Sequence, residues 1–138
     1  MRKRCVICAV IVCGLVVTLL QATPEATPAK VPQELVKAKI AAARKTYEVV
    51  WKNNREGLVP FAELAYRWSK RWLEAELELT DQKANRVAIY QAHKDRMREL
   101  ARITRDRYRN RINTIEEATA TEFYIAEAEV WLEQAKRQ

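Results

Sequence analysis

The residues able to do chemistry in this chain are few, and their spacing keeps them apart. His93 is the only histidine, and its i+4 neighbour on a helix is Met97. A metal site or a general base built on it would need a second imidazole or converging carboxylates. Glu74, Glu76 and Glu78 alternate, so on a helix their carboxylates point in different directions. Ser69 lies inside a helical stretch with no base near it in sequence. Cys5-x-x-Cys8 has the spacing of a metal half-site, but it has no second pair and sits in an apolar run. With glycine only at Gly14 and Gly57, no glycine-rich loop is present to cradle a phosphate. This pattern indicates neither an enzyme nor a metal or cofactor protein.

The remaining candidate is electrostatic. Lys94, Arg96, Arg98, Arg102, Arg105, Arg107, Arg109 and Arg111 form a basic run flanked by Tyr90 and Tyr108, with Arg98, Arg102, Arg105 and Arg109 as its candidate face. Such a face suits nucleic acid, another polyanion or an anionic membrane surface. An acidic stretch follows it directly and can neutralise it in cis, and a leader directs the chain away from nucleic acid. The expectation is therefore a solvated, partly salt-bridged face with no nucleic-acid partner. Polyanion or membrane-surface binding through that face is the alternative.

The leader is read from Arg2, Lys3 and Arg4, followed by the uncharged, mostly apolar run Cys5 to Leu20 and then Ala22. That is the order of a secretory signal peptide over residues 1–22, cleaved near Ala22 or at Ala26. The 16-residue run falls short of the roughly 20 residues that an uncleaved transmembrane anchor needs. A lipoprotein site is disfavoured by the bulky Val12 just before Cys13. All three cysteines lie in the leader, so the exported product, periplasmic or secreted, would hold no disulfide. It would keep 22 Lys and Arg against 18 Asp and Glu, a net charge of +4. Its length suits one small domain.

Residues 23–32 carry Pro24, Pro28 and Pro32 among Thr and Ala, the composition of a spacer. Everything beyond is amphipathic helix, an all-α domain over residues 33–136. Val36, Ile40, Ala43, Tyr47 and Val50 recur at spacings of four and three, a heptad-type seam on a helix of about 33–56. Gly57 and Pro60 then mark a turn, since glycine closes a helix and proline opens one. Phe61, Ala65, Trp68, Trp72, Ala75 and Leu79 continue the heptad spacing, widened by Leu64, Leu73 and Leu77. Around residues 80–85 the seam loses phase, and Asp81 is a candidate cap, but neither glycine nor proline is present. The leading expectation is one long kinked helix over about 60–109, with a break into a four-helix up-down bundle as the alternative. A further turn falls at Asn110 to Thr114, with Thr114 as cap and Glu117 as its capping-box partner for a last helix of about 114–136. That helix offers Ile115, Phe123, Ala126, Val130, Trp131 and Leu132 as its apolar residues.

A shift of 53 residues lays Glu74-Ala75-Glu76 over Glu127-Ala128-Glu129. Charge repeats with it. Residues 33–55 hold six basic and two acidic residues, and 56–81 hold three and six. Residues 91–111 hold eight and three, and 112–133 hold none and six. Each unit is a basic helix, a turn and an acidic helix, and antiparallel arms of that kind attract. The chain reads as two tandem antiparallel helical hairpins.

Asn54-Arg55-Glu56-Gly57-Leu58-Val59, then Glu63-Leu64 and Leu73-x-Ala75-Glu76, resembles the hairpin repeat of the TolC-type outer-membrane efflux family, with Tyr108 to Glu129 as a degenerate second copy. The resemblance implies a periplasmic coiled-coil hairpin whose tip, Gly57 and Leu58, contacts a partner hairpin. No β-barrel segments accompany it, and the chain is too short for a channel subunit. What it implies is a non-enzymatic helical scaffold with a protein partner, either a second copy or another coiled coil. If Gly57 closes the first helix with positive φ, Gly57→Val should lower stability by about 1 kcal/mol or more. An unchanged melting curve would reject that turn.

Overall fold

The computed structural model describes residues 31–55 and 62–138. The leader, most of the spacer, the tip residues Gly57 and Leu58, and Phe61 lie outside the described residues. Four helices follow in order: α1 (Gln33–Arg55), α2 (Ala62–Leu77), α3 (Lys83–Arg109) and α4 (Ile115–Arg137). The fold is all-α and built of helical hairpins, α1 against α2 and α3 against α4, with α2 also packed on α3 and α4.

The expected continuous helix over 60–109 is not formed; the chain breaks between Leu77 and Lys83. The break needs no glycine because one threonine organises it. Thr80 Oγ1 accepts from the Gln82 backbone N–H at 3.2 Å and from Asn85 Nδ2 at 3.3 Å. A hydroxyl bonded two residues ahead offers the backbone an alternative to the helical ladder. Asp81 does not cap α3. Gln82 occupies the N-cap in an extended conformation, and its side chain makes no capping bond.

The other ends follow local chemistry more closely. The Pro32 carbonyl accepts from Leu35 N at 3.0 Å and Val36 N at 3.4 Å, opening α1. At the end of α3, Arg111 takes φ 60°. Arg111 N donates to Tyr108 O and Ile112 N to Arg107 O, both at 2.9 Å, which is a Schellman closure. The turn falls where two asparagines predict it, but an arginine takes the left-handed position. Thr114 caps α4, its side chain accepting from Glu117 N at 3.4 Å.

The core is narrow and made largely of small residues. α2 contributes Ala62, Ala65, Ser69, Leu73 and Ala75, α3 contributes Met97, Leu100, Ala101 and Thr104, and α4 contributes Thr121, Ala128, Leu132 and Ala135. The α1 seam is buried as expected at Val36, Ala43, Tyr47 and Val50. Large rings stand at the margins, with Trp51, Tyr66, Trp68, Trp72 and Tyr124 packed partly buried against this core. Ala75 and Ala128, which superpose in the 53-residue repeat, are both buried.

On α4 the apolar face is not where composition places it. Phe123 is 63% exposed and Val130 54%, and Ile115 and Ala126 are exposed as well. The helix instead turns its smaller residues inward, because helices approach closely where side chains are small. Leu100→Ala, in the core, should therefore lower stability by roughly 2–5 kcal/mol. Phe123→Ala, in dilute protein, should change it by no more than about 0.5 kcal/mol. Denaturant melts of the two variants would check this, and a large loss at Phe123 would reject the orientation of α4.

Candidate functional site

Three places on this framework carry chemistry: a buried polar cluster, the basic face of α3, and the outer faces of α1 and α4.

The buried cluster forms because α2 and α3 fold back on each other. Ser69 and His93 are 24 residues apart, which on a continuous helix would separate them by about 36 Å. The turn at Thr80 brings Ser69 Oγ to 2.9 Å from His93 Nδ1. Ser69 thus has a neighbouring base that its surroundings in sequence do not reveal. The two positions are equidistant from residue 81, so locating the turn would have paired them. Arg96 Nε donates to the same Ser69 Oγ at 2.7 Å. Its guanidinium carbon lies 4.1 Å from the Trp72 ring centroid and 5.9 Å from that of Tyr47, a cation–π arrangement reaching α1. The His93 ring stacks on Trp131 of α4 at 5.7 Å. All four helices meet at this point.

The cluster has the parts of a nucleophile and base but not their properties. Ser69 and His93 are both fully buried. Burial, reinforced by the charges of Arg96 and Lys70, lowers the His93 pKa to about 3, against an opposing backbone hydrogen bond at Ser69. A base held that low is a poor proton acceptor near neutrality. The group beside the serine is a cation and not an orienting carboxylate. The cluster is a polar pin, with hydrogen bonds that fix the register of α2 on α3. Burial also pushes the Tyr47 phenol up to about 12, so it stays protonated beside Arg96.

The basic face is brought together. Arg98, Arg102, Arg105 and Arg109 line one shallow groove of about 330 Å³, with Ala101 and Ile125 among its apolar walls. Each arginine has a carboxylate. Arg98 meets Glu129 at 2.8 Å and Arg105 meets Glu122 at 3.5 Å, both across to α4. One heptad forward on α3 is one heptad back on α4, the register of an antiparallel pair. Arg102 pairs with Glu99 at 2.8 Å and Asp106 at 3.1 Å, and Arg109 lies 3.8 Å from Asp106. Four arginines thus face Glu99, Asp106, Glu122 and Glu129, and the groove is charge-balanced. These pairs are about half exposed, and such pairs contribute little stability.

The third feature went unrecognised in sequence. Val31, Leu35, Ala38, Ala42, Lys45 and Val49 repeat at spacings of four and three, and all are exposed, Leu35 by 62%. From Leu35 on they form a second heptad phase on α1, largely turned away from α2, with Ala42 at its edge beside Trp68 and Arg71. Ile115, Thr119, Phe123, Ala126 and Val130 form a similar exposed stripe along α4, on the side away from Ala128 and Leu132, with exposed Ile112 in the turn before it. The signal for the first was present as a second run of heptad-spaced residues. The second was hidden because the same residues serve equally well as a core face. Among the described residues no helix is long and apolar enough to cross a membrane, and no His, Cys, Asp and Glu group is placed to hold a metal.

The depressed His93 pKa carries a sign. The unfolded chain takes up this proton below about pH 6.5, the folded protein only near pH 3. The stability is therefore full above pH 6.5 and is lost as pH falls, by at most about 1.4 kcal/mol per pH unit. His93→Gln should flatten the stability profile between about pH 6 and pH 4. An identical slope in the variant would show that His93 is not held neutral. Comparison with known proteins returns no matching family model, no matching curated protein and no matching solved structure.

Proposed function

We propose that the chain is an exported, non-enzymatic helical interaction protein that binds its partner helix to helix. The observation that carries this reading is the pair of exposed, mostly apolar heptad stripes on α1 and α4, which the other described residues leave uncovered. A heptad stripe at the surface is what a partner helix packs against. The resemblance to the periplasmic hairpins of TolC-type efflux proteins points the same way, with Gly57 and Leu58 as a further protein contact at the tip of the first hairpin. Export rests on the leader over residues 1–22.

The alternative, polyanion or membrane-surface binding through α3, would require arginines already paired in the groove to exchange their carboxylates for phosphate or sulfate. That exchange gains little where the charge is already balanced. Retention on immobilised heparin distinguishes the two. The protein should elute by about 150 mM salt. The charge reversals Arg102→Glu, Arg105→Glu and Arg109→Glu should leave that elution unchanged. Strong retention that disappears on reversal would overturn the reading in favour of the polyanion.

A further inference from the structure

Two exposed stripes raise the question of what covers them. Within one chain they do not cover each other, because the backbones of α1 and α4 make no close approach among the described residues. Their helical parts are similar in length: Leu35 to Val49 spans about 21 Å and Ile115 to Val130 about 23 Å at 1.5 Å per residue. Their charges are opposite. The α1 segment 33–55 carries six basic and two acidic residues, with Lys45 within its stripe and Lys52 exposed beside it, while Arg44 turns back over Trp72 of α2 and pairs with Glu48. Segment 112–133 carries six acidic and no basic residues; Glu116, Glu122 and Glu133 are exposed beside its stripe, with Glu122 also 3.5 Å from Arg105 and Glu133 paired with Lys136.

We propose that the two stripes are the halves of one contact, in which the basic outer face of α1 in one copy lies on the acidic outer face of α4 in a second copy. The inference rests on the reading of the chain as a helix-to-helix interaction protein and names its partner. The chain already uses this chemistry internally, where basic α3 meets acidic α4 through Arg98–Glu129 and Arg105–Glu122 one heptad apart. Pairing α1 with α1, or α4 with α4, would oppose like charges along the seam, whereas α1 on α4 opposes unlike ones. The contact joins two different surfaces. It closes as a dimer when both α1–α4 contacts form about a two-fold axis, and it adds further copies when they do not.

The test uses two variants of the full-length expressed chain, with the N-terminus of each purified product read by mass spectrometry. One carries Leu35→Glu and Val49→Glu, the other Phe123→Lys and Val130→Lys. All four side chains are exposed, so circular dichroism should show unchanged helix content. In sedimentation velocity the unaltered chain should reach at least twice its monomer mass as concentration rises, and lose mass as salt rises. Each variant alone should stay monomeric. Mixed in equal amounts they should form a one-to-one pair, because one retains an intact α4 stripe and the other an intact α1 stripe. A monomer in every sample, a mixture that stays monomeric, or a variant that keeps the full mass by itself would each overturn the second copy as occupant. The heparin result is independent of these, so a chain that ignores heparin and stays monomeric loses this inference and keeps the broader reading.

Discussion

The small-residue face of α2 is the constraint on which the rest of the architecture depends. Ala62, Ala65, Ser69 and Ala75 leave almost no side chain between α2 and its neighbours, and each is essentially inaccessible. Interhelical distance follows side-chain size at the contact, so α1, α3 and α4 can all approach this one helix. Apart from the buried Tyr47, the tryptophans and tyrosines packed on this core are only partly buried. They stand at the seams instead, where Tyr66 stacks on Tyr124 at 4.1 Å and its hydroxyl donates to Glu127. Large rings at the margins add to Leu73, Met97, Leu100 and Leu132 at the centre.

A core of alanines specifies register weakly, since one small residue fits much like another. The polar cluster supplies what the alanines lack. Ser69 is satisfied only where His93 and Arg96 reach it together, and a slip of one turn would strand buried polar groups. The hairpin ion pairs, Lys39 with Glu78 and the two heptad-spaced pairs of α3 with α4, add direction at the surface with little energy.

How much of this was legible in sequence depended on whether a signal was local. The α1 seam was read correctly because Val36, Ala43, Tyr47 and Val50 are both apolar and buried. Thr114 was read correctly because a cap acts over three residues. Of the basic face, Arg98 and Arg105 pair with the acidic stretch that follows it, whereas Arg102 and Arg109 pair within α3, with Glu99 and Asp106. The break after Leu77 is only the second alternative in the sequence because it rests on one threonine hydroxyl in a segment with helical composition. The buried face of α4 is not evident from its apolar residues, because of these only Leu132 is fully buried, beside Thr121, Ala128 and Ala135. Hydrophobic periodicity ranks apolarity, while this core selects for size. The Ser69–His93 pair was invisible until the fold-back was known.

The position of α1 carries a dynamic consequence. Its backbone lies against α2 alone among the described helices, and it reaches α3 through side chains such as Tyr47 over Arg96. A helix held on one flank opens at a lower free energy than the fold as a whole. Detachment of α1 would uncover the Tyr47 and Val50 side of the core while α2, α3 and α4 remain packed. Amide protons of α1 would then exchange ahead of those in α3, and the uncovered groove on α2 would be a seat for the equivalent helix of a neighbouring chain. The hairpin order of this protein thus contains the geometry of a domain swap.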